Sequence, residues 1–146
     1  MTKQSMFQRI MSYLLGTNKK IFQEVHIDQE VVDEMLQIAQ EAYPNEFVAL
    51  LQGKTREGVL HIEGLIFLPG ETSNQGAVMK IFMMPLVDDV AGSVHSHPGY
   101  SASPSNADLF FFSKNGLFHL IISQPYDENS IIAYNSFGEQ IDFKIV

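Results

Sequence analysis

The stretch HSHPGYSASPSNAD, residues 95–108, carries His95, His97 and Asp108 at a spacing that suits a single metal ion. Side chains two apart on a β-strand project to the same face, so the run Val94-His95-Ser96-His97 aims both imidazoles at one point. Asp108 then brings a carboxylate to the same ion. Three protein ligands leave a fourth coordination place open, which is what separates a catalytic zinc site from a structural one. The stretch therefore predicts a metal hydrolase whose site is assembled by a strand, a loop and the start of a helix. Ser96, between the two histidines, faces the opposite side of its strand and is expected to make a structural hydrogen bond.

Hydrolysis at such a centre needs a base that takes the proton of the attacking water and returns it to the leaving amine, and a carboxylate outside the ligand set usually does this. Glu46 is the candidate. It follows the break Tyr43-Pro44-Asn45 and opens the otherwise apolar run EFVALLQ, residues 46–52, where an unpartnered buried acid is unfavourable. The alternative for Glu46 is a solvated residue in a helix-to-strand turn. Ser105 also has two readings: the N-cap of a helix, boxed with Asp108 three residues on, or a hydroxyl that assists an oxyanion. Of the two roles open to Asp108, metal ligand takes priority over cap partner. His119 reads as a satisfied strand residue, and His26 and His61 have no convergent partner in the sequence.

Outward from this centre the chain alternates helices and strands. Phe7, Ile10, Met11 and Leu14 have helical spacing, with Gly16 as a stop. Asp28 is positioned to cap a second helix, whose stripe is Val32, Met35, Leu36, Ala39 and Tyr43 and which Pro44 ends. Residues 46–52 and 59–68 read as a hairpin of buried strands joined through Gly53 to Gly58. After a loop from Pro69 to Gly76, residues 77–84 read as a further strand, and 91–97 as the strand of the histidines. A helix begins at Ser105 with Leu109 to Phe112 as its greasy face. Three more strands are expected at 117–123, 130–134 and 140–146. The predicted class is α/β or α+β, with a mixed sheet and two or three helices.

With 146 residues, 45% of them hydrophobic, the chain suits one compact catalytic domain, taken as residues 21–146 and preceded by an extension over residues 1–20. The absence of cysteine excludes disulfides, thiolate catalysis and Cys-ligated metals, leaving His, Asp and Glu as the strong ligands. The net charge of −8 is unevenly spread, because residues 1–20 contain Lys3, Arg9, Lys19 and Lys20 and no acid. An acidic body argues against nucleic acid as a partner, since that binding rests on Lys and Arg at phosphates. The basic amphipathic extension is expected to pack on its own domain or a second copy, or to dock on another protein or a membrane surface. The N-terminus has no secretory pattern and no stretch has the length of a membrane span, so a cytoplasmic location is expected.

The pattern His-Ser-His-Pro, six residues, then Ser-x-x-Asp resembles the signature of the JAMM (MPN-plus) metalloproteases, which include eukaryotic deubiquitinases. The segment Glu46-Phe47-Val48-Ala49-Leu50-Leu51-Gln52-Gly53 is similar to that family's glutamate segment. The tail Pro125-Tyr126-Asp127-Glu128-Asn129-Ser130 resembles archaeal, single-domain members. The resemblance covers roughly residues 24–146 and implies a three-layer, cytidine-deaminase-like fold. It further implies one zinc ion on His95, His97 and Asp108, with Glu46 as general acid/base and Ser105 assisting the oxyanion. The implied reaction is cleavage of a peptide or isopeptide bond after the C-terminal glycines of a ubiquitin-like modifier. The second zinc insertion of chain-specific deubiquitinases has no counterpart here, so small modifiers that double as sulfur carriers are the more natural partners. An exposed edge at 77–84, with Met79, Met83 and Met84, is the expected wall for the modifier tail, the alternative being that these methionines are ordinary core. The rival readings are a non-catalytic MPN scaffold, a hydrolase trimming the C-terminus of a sulfur carrier, and a DNA-repair-associated relative.

Overall fold

In the computed structural model, residues 22–67 and 89–146 are described. The expected helix within residues 1–20, the loop from Pro69 to Gly76 and the strand 77–84 with Met79, Met83 and Met84 lie outside the described residues.

The first helix, α1 (Gln29–Ala42), contains neither glycine nor proline and buries Val31, Val32, Met35 and Ala39 along one face. Val31, Val32 and Met35 each contribute roughly 1.5–3 kcal/mol through removal of apolar surface from water, and the single methyl of Ala39 less. Asp28 occupies the N-cap position, but its side chain makes no capping hydrogen bond. Its carboxylate therefore acts on the helix only through charge at the positive end of the dipole. Pro44 disfavours a helical conformation at the residue before it, and Tyr43 accordingly turns extended (ψ 135°). Tyr43 thus leaves the apolar stripe expected for it and stands half exposed.

The strands β1 (Glu24–Ile27), β2 (Val48–Arg56), β3 (Val59–Ile66), β4 (Val90–Ser96), β5 (Phe118–Ile122), β6 (Ile131–Tyr134), β7 (Gln140–Ile141) and β8 (Lys144–Ile145) form one mixed sheet. Their order is β7-β6-β5-β4-β2-β3-β1-β8. Strands β2 and β3 make the expected hairpin, but its turn is only Glu57-Gly58, with positive φ at both residues, as a two-residue turn between twisted strands requires. The predicted connection from Gly53 is instead strand. A register shift between Gln52 and Gly53 carries β2 onward, and an added Cβ at Gly53 would come within 2.5 Å of the His61 carbonyl oxygen. Glycine continues the strand there because the neighbouring backbone comes so close.

The expected single strand 140–146 is two short ones on opposite edges, β7 beside β6 and β8 beside β1. Ile141 and Lys144 are three residues apart, so the two edges of the eight-stranded sheet approach within about 11 Å, the reach of three extended residues. Eight flat strands would hold those edges on the order of 33 Å apart. The sheet must curl, and α1 fills its concave side with Val25, Ile27, Leu51, Ile62, Val94, Leu120 and Ile122.

The helix α2 (Asn106–Lys114) covers the other face through Phe112, which packs with Ala102, Ile121 and Tyr134. The result is helix, sheet, helix in three layers. Leu109 and Phe110, expected on the packed face of α2, are exposed instead. Alternation along β4 and β5 then sorts the site: Val94, Phe118, Leu120 and Ile122 belong to the α1 core, while Ile121 belongs to the α2 side. Among the described residues no helix is long and apolar enough to cross a membrane.

Candidate metal centre

Antiparallel pairing of β2 with β4 sets Val48 opposite His95 and Ala49 opposite Val94. Extending that register by two residues puts Glu46 opposite His97, with its side chain on the histidine face. Ser96 secures this end of the pairing from the other face. Its Oγ accepts the Phe47 N–H at 3.0 Å, and its own N–H donates to the Phe47 carbonyl at 3.0 Å. The structural hydrogen bond expected of Ser96 therefore holds the residue next to Glu46.

His97 lies one residue beyond β4 and is fastened from several directions. Its N–H donates to the Ile122 carbonyl at 2.8 Å, and its carbonyl accepts the Tyr126 hydroxyl at 2.9 Å. Its Nδ1 donates to the Ser101 carbonyl at 3.0 Å. A carbonyl oxygen has no proton to give, so Nδ1 carries the hydrogen and Nε2 of the neutral ring keeps its lone pair for a metal.

On α2, Ser105 and Asp108 form a reciprocal capping box. The Asp108 N–H donates to Ser105 Oγ at 3.1 Å, and the Ser105 N–H donates to Asp108 Oδ2 at 2.8 Å. The sequence set cap partner and metal ligand against each other for Asp108, yet its carboxylate faces both sets of neighbours. Oδ1 lies 3.2 Å from His95 Nε2, and Oδ2 lies 3.2 Å from His97 Nε2. A carboxylate has two oxygens and about four lone pairs, enough to serve the cap and an ion together. Ser105 Oγ accepts within the box and still has its own proton to donate.

The two Nε2 atoms are 3.1 Å apart. That separation nearly matches the edge of a tetrahedron, about 3.3 Å for zinc bonds of 2.0–2.1 Å, and each Nε2 lies 3.2 Å from its own oxygen of the Asp108 carboxylate. Among the described residues this His95, His97, Asp108 group is the set of acids and histidines whose geometry could hold a metal ion. Electrostatics agree with that use. Burial pushes the Asp108 carboxyl up, but hydrogen bonds from His95 and His97 outweigh it and hold it well below the usual carboxylate range. In the metal-free state the bond that protonated His97 gives Asp108 through Nε2 raises the His97 pKa despite partial burial, with Glu46 adding a smaller pull; a bound ion would take the place of that Nε2 proton. The triad opens into a cleft of about 520 Å³ lined by Glu46, His97, Tyr100, Ser105 and Asp108. His95 is buried beneath it.

The other histidines stay outside. His119 is fully buried, with Nε2 donating to the Gly116 carbonyl at 3.3 Å and Nδ1 accepting from Ser93 Oγ at 2.8 Å. It stacks on Phe112 with centroids 4.4 Å apart, and Phe112 in turn backs His95. His26 and His61 do meet, as cross-strand partners 5.5 Å apart between β1 and β3, with Glu24 bonded to His26.

Burial pushes the His119 pKa down to about 3. A histidine that is neutral when folded binds fewer protons than its unfolded counterpart, whose pKa is about 6.5, so stability rises with pH between those values. Metal-free protein is therefore expected to lose up to about 1.4 kcal/mol per pH unit as pH falls from 6.5 toward 5. The depressed Asp108 contributes its loss only below about 4, and the raised His97 withdraws its contribution only above about 6.5. Urea unfolding at pH 5.0, 5.5, 6.0 and 6.5 checks this, and His119→Phe should flatten the slope. An unchanged slope in that variant would assign the acid loss elsewhere.

Sequence reasoning missed two contributors, the Ser101 carbonyl and the Tyr126 hydroxyl. The Ser101 contact lies within the loop after the HSHP run and is available to any reading that asks where a ligand histidine's second nitrogen goes. The Tyr126 contact spans 29 residues and leaves no local signal.

A three-layer fold with a histidine pair at a strand end and an aspartate at the facing helix start defines a class of metal-site α/β domains. The profile of the Prok-JAB family, the prokaryotic homologs of the JAB domain, matches residues 28–136, and the chain belongs to this family. A probable metalloprotease of Haloferax volcanii is 31% identical over 130 residues, covering 84% of this chain and 80% of that protein. A solved structure described as JAMM, a metalloprotease-like zinc site in the proteasome and signalosome, is 35% identical with a TM-score of 0.64 and covers 85% of this chain and 99% of its own. A JAB1/MPN domain protein of Archaeoglobus fulgidus is 34% identical, with a TM-score of 0.63 and coverage of 84% and 97%. The chain is thus similar to a protein with a JAMM, metalloprotease-like zinc site, and its His95, His97 and Asp108 form a group that could hold a metal ion.

Proposed function

We propose that this chain is a zinc-dependent peptidase or isopeptidase acting after the C-terminal Gly-Gly of a ubiquitin-like modifier. The observation that carries the reading is the convergence of three metal-ligand atoms at the floor of an open cleft that also presents Glu46 and Ser105. Zinc held by His95, His97 and Asp108 would act as a Lewis acid on the scissile carbonyl and lower the pKa of water.

The chain's own residues do the rest. Glu46, opposite His97, takes a proton from the attacking water and passes it to the departing amine. The Ser105 hydroxyl, with its proton free of the capping box, donates to the oxygen on which charge develops. The positive end of α2 lies at the same place and favours that charge. His97 is held in one tautomer by Ser101, and Asp108 stays ionised through its histidine contacts. A tail ending in two glycines brings no Cβ into the cleft, which suits close approach of its backbone to the triad. The acidic body fits a protein partner better than a nucleic acid.

The test is to incubate zinc-loaded protein with modifier conjugates and linear modifier fusions from its own organism and to read the products by mass spectrometry. Free modifier ending in Gly-Gly is expected. Cleavage inside the modifier tail would move the assignment to C-terminal trimming, and binding without cleavage would move it to a scaffold.

A further inference from the structure

His97 is the least supported of the three ligands by regular structure, since β4 ends at Ser96. Its carbonyl accepts the hydroxyl of Tyr126 at 2.9 Å. Tyr126 sits between β5 and β6 and is buried, although its backbone adopts a positive φ of 61°. That conformation is disfavoured for a bulky L-residue and open to glycine, so the strain is held by neighbours. They can be named. The Tyr126 N–H donates to the Ser123 carbonyl at 2.9 Å, and its carbonyl accepts Gln40 Nε2 of α1 at 3.1 Å. Its ring meets Tyr43 edge to face at 6.3 Å. Gln124, two residues earlier, fastens the loop after His97 as well. Its N–H donates to the Gly99 carbonyl at 2.8 Å, and its side-chain amide donates to the Pro98 carbonyl.

We propose that Tyr126 is a positioning residue of the metal centre, its hydroxyl holding the His97 backbone so that zinc affinity depends on a side chain outside the ligand set. A glycine would relieve the backbone at position 126 but would deliver no hydroxyl. The anchoring of Tyr126 by Gln40 and Tyr43 ties the aim of one ligand to the docking of α1 on the sheet. Unmaking the 126–97 bond leaves His97 held by its N–H and its ring alone, with more orientations to lose when an ion binds. The proposal rests on the triad being a zinc site and not on which modifier is cleaved.

The experiment uses the full chain and Tyr126→Phe, which keeps the ring and removes the donor. Zinc affinity is measured by competition with a chromophoric chelator, and the cobalt-substituted protein gives a visible spectrum that reports ligand geometry. Tyr126→Phe is expected to bind zinc roughly 2- to 12-fold more weakly, the ordinary worth of one hydrogen bond, with an altered cobalt spectrum. Tyr134→Phe is the control, because it removes another buried tyrosine hydroxyl, the one donated to the Ala102 carbonyl at 2.7 Å. It should lower the melting temperature without a comparable loss of zinc affinity. Equal affinity and spectrum in Tyr126→Phe, or an equal loss in Tyr134→Phe, would overturn the proposal. If Tyr126→Phe does not fold, Gln40→Ala frees the Tyr126 carbonyl from α1 and must weaken zinc binding in the same direction; unchanged affinity there counts against the idea. A wild-type chain that binds no zinc overturns both this proposal and the function above, whereas wild-type binding with no cleavage overturns only the function.

Discussion

Glu46→Gln is expected to retain its zinc and to lose turnover by roughly 10²–10⁴-fold, the usual consequence of removing a general acid/base. Glu46 lies on the cleft with His97 and Asp108 but outside the group of three convergent ligand atoms. Glutamine has nearly the same shape, so Ser96 should still clamp Phe47 and keep the register that faces residue 46 toward His97. What the amide lacks is the ability to accept a proton at neutral pH. The loss should fall on kcat more than on KM, because proton transfer matters in the transition state and little in the ground-state complex. Metal analysis beside steady-state kinetics on a linear modifier fusion separates the two. Near-wild-type turnover would remove Glu46 from the mechanism, and loss of zinc would make it a ligand or a structural support instead.

The parts of this site that were legible in the sequence are those governed by short-range geometry. A two-residue period predicts that His95 and His97 share a face, and a three-residue offset predicts that Ser105 and Asp108 box a helix start. Both follow from rules that need no knowledge of the rest of the chain. The helix over residues 29–42 was legible for the same reason, through its apolar stripe. Its end shows the limit, because Tyr43 fits the stripe by number yet is turned out by Pro44.

Features set by distant partners were not legible. Residues 140–146 have the composition of one strand, and only closure of the curled sheet splits them between two edges. The predicted hairpin connection starts too early because Gly53 looks like a breaker, whereas close approach of the His61 backbone makes it a strand glycine. The conflict foreseen for Asp108 dissolves once both carboxylate oxygens are placed, which needs the histidines and the helix in one frame. Tyr126 shows the same limit, because a contact made 29 residues away can be found only after folding.

Removing a ligand should have a larger effect than removing the base. His97→Ala leaves two donor atoms where three converge, and two protein ligands fall short of the three that catalytic zinc sites use. The loss of affinity should exceed the roughly 10–100-fold that loss of an outer-shell partner costs, and turnover should fall to background. Wild-type protein with free zinc at 100 times its dissociation constant gains about 2.7 kcal/mol of stability from mass action, visible as a rise in melting temperature. His97→Ala should show no such rise at the same zinc concentration. The truncation also frees the Ser101 carbonyl, which could loosen the cleft wall irrespective of any ion. His95→Ala answers that objection, because His95 sits beneath the cleft and is not the residue bonded to Ser101. Both variants must therefore lose the zinc-dependent stabilisation and the activity together. Stoichiometric zinc or measurable turnover in either one would show that the ion is held by other residues and that the histidine pair belongs to the framework of the fold.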